Sequence, residues 1–392
     1  MTNLTLRSLL LLVLGSLASC KDFETIPPVY TVFEKPWKPD SYQVTYADAI
    51  QTEDCDYVAV GQIWMGNGAR ESLFAKYRRT SDTPTLHEKY GMNSEATCVK
   101  ASKGDILIGG RDQTWGYVLK VDNNLKIRYR EEIGNTKFGY NSSQVEDMDI
   151  APDGQIVALV SVEIGTIRSL FVFKFRDTGN GFDEPTRLPI NIPNTDRLDY
   201  EKMSLDVSEK GVIAVAATLE DPTDGTKSGF LAQMTMDGVE VKRSKQYKYP
   251  GTAVALRDVV VSPQGNCYAV GYKNKSALYV NWSDNAKWEE KPYTLPKNPT
   301  EAYGISLSPE GDLAIVGGKN SGIESQVLFF KVKALTGDKD PDWEYGTGKN
   351  NSGKSIAPIM GGGFLMSGFS TNGTNDRREA YLIKTDPEGR AN

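Results

Sequence analysis

The sequence predicts an all-β fold, a seven-bladed β-propeller of four-stranded blades. Three observations predict it. A unit of about 50 residues recurs seven times. Each unit couples a tight turn to an apolar strand, then to a second strand with a lysine at a fixed place. The strands are apolar on both faces, so their sheets must be sandwiched between neighbours, as propeller blades are.

The apolar strands are Tyr57–Gly61, Ile106–Gly110, Ile156–Val160, Ile213–Ala217, Cys267–Gly271, Leu313–Gly317 and Phe364–Gly368. Six residues before each closing position stands Gly104, Gly154, Gly211, Gly265, Gly311 or Gly362, with Cys55 in the first copy. Successive copies lie 49, 50, 57, 54, 46 and 51 residues apart, whereas a tandem solenoid would repeat every roughly 20–30 residues. Glycine closes five of the seven strands, which marks a crowded bend. The second strands are Leu73–Arg78, Tyr117–Asp122, Leu170–Arg176, Phe230–Thr235, Leu278–Ser283, Leu328–Lys333 and Tyr381–Asp386. Lys76, Lys120, Lys174, Lys331 and Lys384 share one position among them. In Leu170–Arg176, Phe171, Phe173 and Phe175 point to one face and Val172 to the other. A strand before each turn and a more polar outer strand, such as Ile127–Glu132, complete each blade. The seventh copy lacks its outer strand, and Pro28–Trp37, rich in β-branched and aromatic residues, is expected to supply it and close the ring. The propeller then occupies residues 41–392.

Residues 1–19 read as a lipoprotein signal peptide. Arg7 precedes an apolar run of 11 residues, Ser8–Ala18, too short to span a bilayer as a helix. Leu17-Ala18-Ser19-Cys20 has the form of a lipobox, with Cys20 as the lipidation site; the alternative is an ordinary secretory signal that contains a cysteine. Two or more acyl chains on one residue make a stable anchor. Residues 20–40 are then a lipidated tether and closing strand. Lys21-Asp22-Phe23-Glu24 is either a surface-export tag or a generic polar tether.

Composition excludes several classes. With 39% hydrophobic and 24% charged residues the chain folds and is not disordered. A net charge of −6 with scattered Lys and Arg argues against nucleic acid as a partner. His87 is the single histidine, so clustered-histidine metal sites are impossible. Neither CxxC nor a fitting calcium loop occurs; Asp177–Glu184 and Asp338–Asp342 read as turns. No metal or cofactor is expected. Cys55 and Cys98 lie at levels ~15–20 Å apart along a blade, too far to pair, so Cys55, Cys98 and Cys267 are expected as free thiols.

Position matching picks out two rings at one mouth of the central channel. Seven residues before each turn stand Asp48, Thr97, Asp147, Ser204, Asp258, Gly304 and Ser355, all small and six polar. Short polar side chains there either satisfy backbone groups or line a funnel. One step earlier stand Ala47, Ala96, Glu146, Met203, Arg257, Tyr303 and Lys354, which differ widely. Glu146, Arg257, Tyr303 and Lys354 are therefore candidates to face a ligand. The loops after the apolar strands reach the same mouth and carry Trp64, Arg70, Arg111, Trp115, Arg168, Tyr272, Phe369, Arg377 and Arg378. Such residues are enriched at binding hot spots, and aromatics stack on sugars. From these loops Trp64, Arg70, Arg111, Trp115 and Arg377 complete the candidate binding face.

Through the lipobox, the Lys-Asp-Phe-Glu segment and the repeat of turn glycine, apolar strand and Lys-bearing strand, residues 20–392 resemble propeller lipoproteins of Bacteroidota, with blades loosely similar to WD40 and quinoprotein propellers. The WD signature and the tryptophan-docking pattern of quinone enzymes are absent. The resemblance implies a lipid-anchored outer-membrane protein, exposed at the cell surface. Three functions stay open, because fold does not dictate function. The first is a non-catalytic scaffold or accessory subunit of an outer-membrane complex for nutrient import or assembly, bound to a β-barrel or its lipoprotein partner. The second is a surface glycan-binding lipoprotein. The third is a channel-mouth lyase or hydrolase built on Glu146 with Asp147 or Asp258. The poverty of catalytic constellations leads to the expectation that the chain is not an enzyme.

Overall fold

The computed structural model describes residues 43–391 apart from 66–67, 80, 82, 134–137, 193–196, 275, 283–287, 294–299, 321–324, 335, 337, 341, 347–349 and 373–376. The fold is the expected one, seven antiparallel blades in a ring, each running outward from an inner strand through the apolar and Lys-bearing strands to an outer strand. Blade 1, for example, is Gln43–Gln51, Tyr57–Trp64, Arg70–Tyr77 and Leu86–Tyr90 in spatial order. In blade 4 the inner strand is broken into Arg197–Leu198 and Ser204–Val207, both paired with Val212–Glu220. Blade 7 has three strands among the described residues, Asn350–Pro358, Phe364–Asn372 and Arg377–Thr385. Pro28–Trp37 and Cys20, the expected closing strand and lipidation site, lie outside the described residues.

Seven separate apolar clusters hold the ring, one at each junction between successive blades. The two-faced strands cause this arrangement. Along Ile156–Ile164, Val157 and Leu159 join the core shared with blade 4, while Ile156, Ala158 and Val160 join the core shared with blade 2. The ring closes through one such cluster, in which Val44, Tyr46 and Tyr77 of blade 1 pack with Leu365, Ala380 and Leu382 of blade 7.

In blades 1 and 2 the lysine in the third strand acts as a latch at the end away from the mouth. Lys76 Nζ lies 2.9 Å from Asp54 and 3.3 Å from Asp56, in the turn of its own blade. Lys120 lies 2.9 Å from Asp105 and also pairs with Asp177 of the next blade. Asp177, read from the sequence as part of a turn, accepts bonds from Lys120, Tyr129 and the Gly179 N–H.

One expectation about the cysteines is corrected. Cys98 and Cys267 are buried and outside any disulfide, but Cys55 is disulfide-bonded. The separation along the blade excluded only a Cys55–Cys98 pair, and that exclusion stands; it did not bear on other partners of Cys55.

Candidate functional site

The inner strands carry the site through a repeated β-bulge. Their register slips between Tyr46 and Asp48, Ala96 and Cys98, Val145 and Asp147, Leu256 and Asp258, Ala302 and Gly304, and Gly353 and Ser355. The extra residues are Ala47, Thr97, Glu146, Arg257, Tyr303 and Lys354. A bulge leaves its extra residue unpaired and re-aims its side chain, so these positions are free to vary. The closing glycines answer the same bulge. A Cβ on Gly271 or Gly317 would sit 1.9 Å from the carbonyl oxygen of Ala255 or Glu301, and one on Gly61, 2.0 Å from that of Thr45. Blade 2 corrects the position matching by one residue. Its hairpin is shorter, Ser102 pairing with Asp105, so Thr97 is the bulge residue and Cys98 takes the small position.

The small ring stitches blades together. Asp48 accepts the N–H of Val99 at 3.0 Å, Asp147 that of Leu205 at 3.0 Å, and Asp258 that of Ile305 at 3.1 Å, each in the following blade. The Ser204 hydroxyl lies 2.9 Å from Asp147 and 2.5 Å from Asp258. These groups border a central cavity of about 370 Å³, into which Lys100, Lys202 and Asp206 also reach. Burial pushes Asp147 up to about 6, against the opposing pull of Lys100.

The bulge residues of blades 5, 6 and 7 meet in one cluster. Arg257 is buried, with Nε 2.7 Å from Glu201 and a terminal nitrogen 2.7 Å from Glu301. Its guanidinium lies over Tyr303 at 4.2 Å and Tyr272 at 4.7 Å from the ring centroids. Tyr303 donates its hydroxyl to Glu301 at 2.8 Å. Lys354 Nζ sits 3.7 Å from the Tyr303 ring centroid and 5.5 Å from that of Phe369. Burial, with the nearby charges of Arg257 and Lys202, lowers Lys354 from 10.5 to about 7. Burial raises the Tyr303 phenol to about 12. Lys202 closes the floor, 3.2 Å from Asp258 and hydrogen-bonded to the carbonyls of Tyr303 and Lys354 at 3.2 and 3.3 Å. The cluster therefore holds an amine lowered to about 7 and a protonated phenol, a proton acceptor and a proton donor, beside a guanidinium held by two carboxylates.

Glu146 belongs to a different part of the mouth. It is 2.8 Å from Arg168 and 2.5 Å from the Ser161 hydroxyl, and burial raises its carboxyl while Arg168 opposes the rise. Arg168 engages Glu146, Ser204 and Lys202 engage Asp258, and a backbone N–H engages Asp147, so the carboxylate pair drawn from the sequence is absorbed in structural bonds. Trp64 and Trp115 stand at strand ends, not in loops. Trp64 is half-buried, 5.7 Å from the Arg378 guanidinium, which also covers Phe369 at 4.9 Å. Trp115 packs against the core between blades 2 and 3. Arg70 is exposed opposite Trp64, and Arg111 pairs with Glu95 at 3.2 Å. Arg377 begins the last strand; its side chain lies outside the described residues. His87 is exposed on the outer strand of blade 1, remote from the mouth.

Position matching missed Glu201, Lys202 and Glu301. In blade 4 it selected Met203, which is fully buried, because the broken inner strand sends Tyr200, Glu201 and Lys202 to the mouth instead. The charged and aromatic run Asp199–Lys202 just before Ser204 was the available signal.

No protein-family model matches the chain, and no curated protein matches it. Solved structures do. An ulvan lyase, a polysaccharide lyase bound to -[GlcA(1-4)Rha3S]-, is 10% identical with a TM-score of 0.55 over 92% of this chain and 94% of that one. Hydrazine synthase of Kuenenia stuttgartiensis is 12% identical with a TM-score of 0.56 over 89% and 97%. A protein of unknown function from Dyadobacter fermentans is 12% identical with a TM-score of 0.52 over 92% and 99%. At this identity the likeness establishes the propeller fold. It also corrects the expectation of a non-catalytic chain, because two of these three whole-length neighbours are enzymes. That expectation rested on the scarcity of Ser, His and Cys constellations, and chemistry by lysine, phenol and guanidinium needs none of them.

Proposed function

We propose that the chain is a polysaccharide-acting enzyme, a lyase that cleaves an acidic glycan at the mouth of blades 5–7. The observation that carries the reading is the Arg257–Tyr303–Lys354 cluster, three bulge side chains from adjacent blades with an amine lowered to about 7. The ulvan lyase of similar fold, bound to a glucuronate-containing glycan, supports the substrate class. In a uronate, the proton beside the carboxyl group passes to neutral Lys354 Nζ. The negative charge spreads into the carboxyl group and is stabilised by Arg257. The bond to the leaving sugar oxygen breaks, and that oxygen takes the Tyr303 hydroxyl proton, which leaves an unsaturated sugar. Proton return from Lys354 to Tyr303 resets the site.

Incubation with ulvan and with polygalacturonate, followed by ultraviolet absorbance, tests this. The wild type should generate the unsaturated product, and Lys354→Met and Tyr303→Phe should lose about 10²–10⁴-fold in rate. Unchanged rates in both variants would place the chemistry elsewhere. Retention on the polymers without product would support a glycan-binding protein instead.

A further inference from the structure

We propose that Tyr200, seated on Arg168 and next to Arg111, forms a second sugar subsite on the blade 3–4 side of the mouth. It takes a sugar ring bearing an anionic group, in the same chain whose reacting unit lies at Lys354. The proposal deepens the lyase reading and rests on it for the identity of the polymer.

Tyr200 is 79% exposed, the highest value among the large exposed apolar and aromatic side chains described. Its ring is nevertheless held in place. The Arg168 guanidinium lies 4.4 Å from the ring centroid. Arg168 is itself fixed by Glu146 at 2.8 Å, Ser161 at 3.0 Å and the Asp199 carbonyl at 3.0 Å. The Tyr200 N–H donates to the Asp199 carboxylate at 2.7 Å. An aromatic ring ordered from behind and open in front is a stacking platform with little entropy left to lose on binding. The ring borders a small recess of about 40 Å³. Arg111 and Glu163 line that recess; Arg111 pairs with Glu95 through a terminal nitrogen at 3.2 Å, while its Nε is buried without a hydrogen-bond partner among the described residues. A buried N–H without a partner is costly, and a ligand oxygen relieves it. A guanidinium with an open donor favours a carboxylate or sulfate oxygen. The broken inner strand of blade 4 links this recess to the reacting cluster, since Glu201 and Lys202, which contact Arg257 and Asp258, directly follow Tyr200.

Affinity electrophoresis in ulvan and in polygalacturonate, with dextran as the neutral control, tests the subsite. Tyr200→Ala should weaken retention by the acidic polymers about tenfold or more, and Tyr200→Phe, which keeps the ring, should restore it. Melting temperatures confirm that both variants fold. Acidic-polymer retention of Tyr200→Ala equal to wild type overturns the subsite, even if the wild type cleaves. A wild type that binds but cleaves nothing, with binding lost in Tyr200→Ala, overturns the lyase reading and leaves the subsite standing. Equal retention by dextran overturns the anionic specificity. A wild type retained by none of the polymers overturns both.

Discussion

Replacing Lys354 by methionine tests the electrostatics on which the site depends. The folded lysine is lowered to about 7 by burial and by the charges of Arg257 and Lys202, while in the unfolded chain it titrates near 10.5. Between those values the unfolded chain binds more protons than the folded one, so wild-type stability rises with pH across that window. Below about 7 the full penalty is present; near 10.5 it has gone. Each unit corresponds to about 1.4 kcal/mol, which gives an upper bound of about 5 kcal/mol. Lys354 as a residue is half-buried, and solvent screening reduces the expected penalty to about 1–3 kcal/mol. Methionine keeps the length and the contact with Tyr303 and Phe369 without the charge. Lys354→Met should therefore be the more stable protein at pH 6–7, and its advantage should shrink towards zero near pH 10. Urea denaturation across that range measures it. A constant difference at every pH, or a destabilised variant at neutral pH, would refute the argument.

Gly317→Ala places a Cβ 1.9 Å from the Glu301 carbonyl oxygen, so it should cost about 1–3 kcal/mol and displace Glu301 from Arg257; Gly318→Ala, whose nearest contact is 3.9 Å away, should melt as wild type. Deleting Pro28–Trp37 should lower the melting temperature by exposing the outer edge of Arg377–Thr385; unchanged melting would show that this segment does not close the ring.

The fold was legible because the ring repeats its physics. Two-faced strands such as Leu170–Arg176 can only be buried between blades, and the seven junction cores follow from that. The bulge was legible indirectly, through glycines that a repeated carbonyl contact demands and through a position whose residue type varies. Matching by count found Arg257, Tyr303 and Lys354. It failed where local geometry changed the count, at the shorter hairpin that contains Gly104 and at the broken strand before Ser204. The partners were hidden for a different reason. Glu201 and Glu301 act by closing ion pairs across blades, and nothing in a single repeat announces a partner roughly 50 residues away. Glu146 was overvalued because a carboxylate looks the same in sequence whether it is open to a substrate or held by Arg168.

The most direct measurement is a crystal structure of the Tyr303→Phe variant soaked with an acidic oligosaccharide of ulvan. The account predicts a sugar carboxylate beside Arg257, the adjacent ring carbon facing Lys354 Nζ, and the chain crossing the mouth. An oligosaccharide seated on the outer rim, or at the turn face near Lys76 and Asp54, would contradict it.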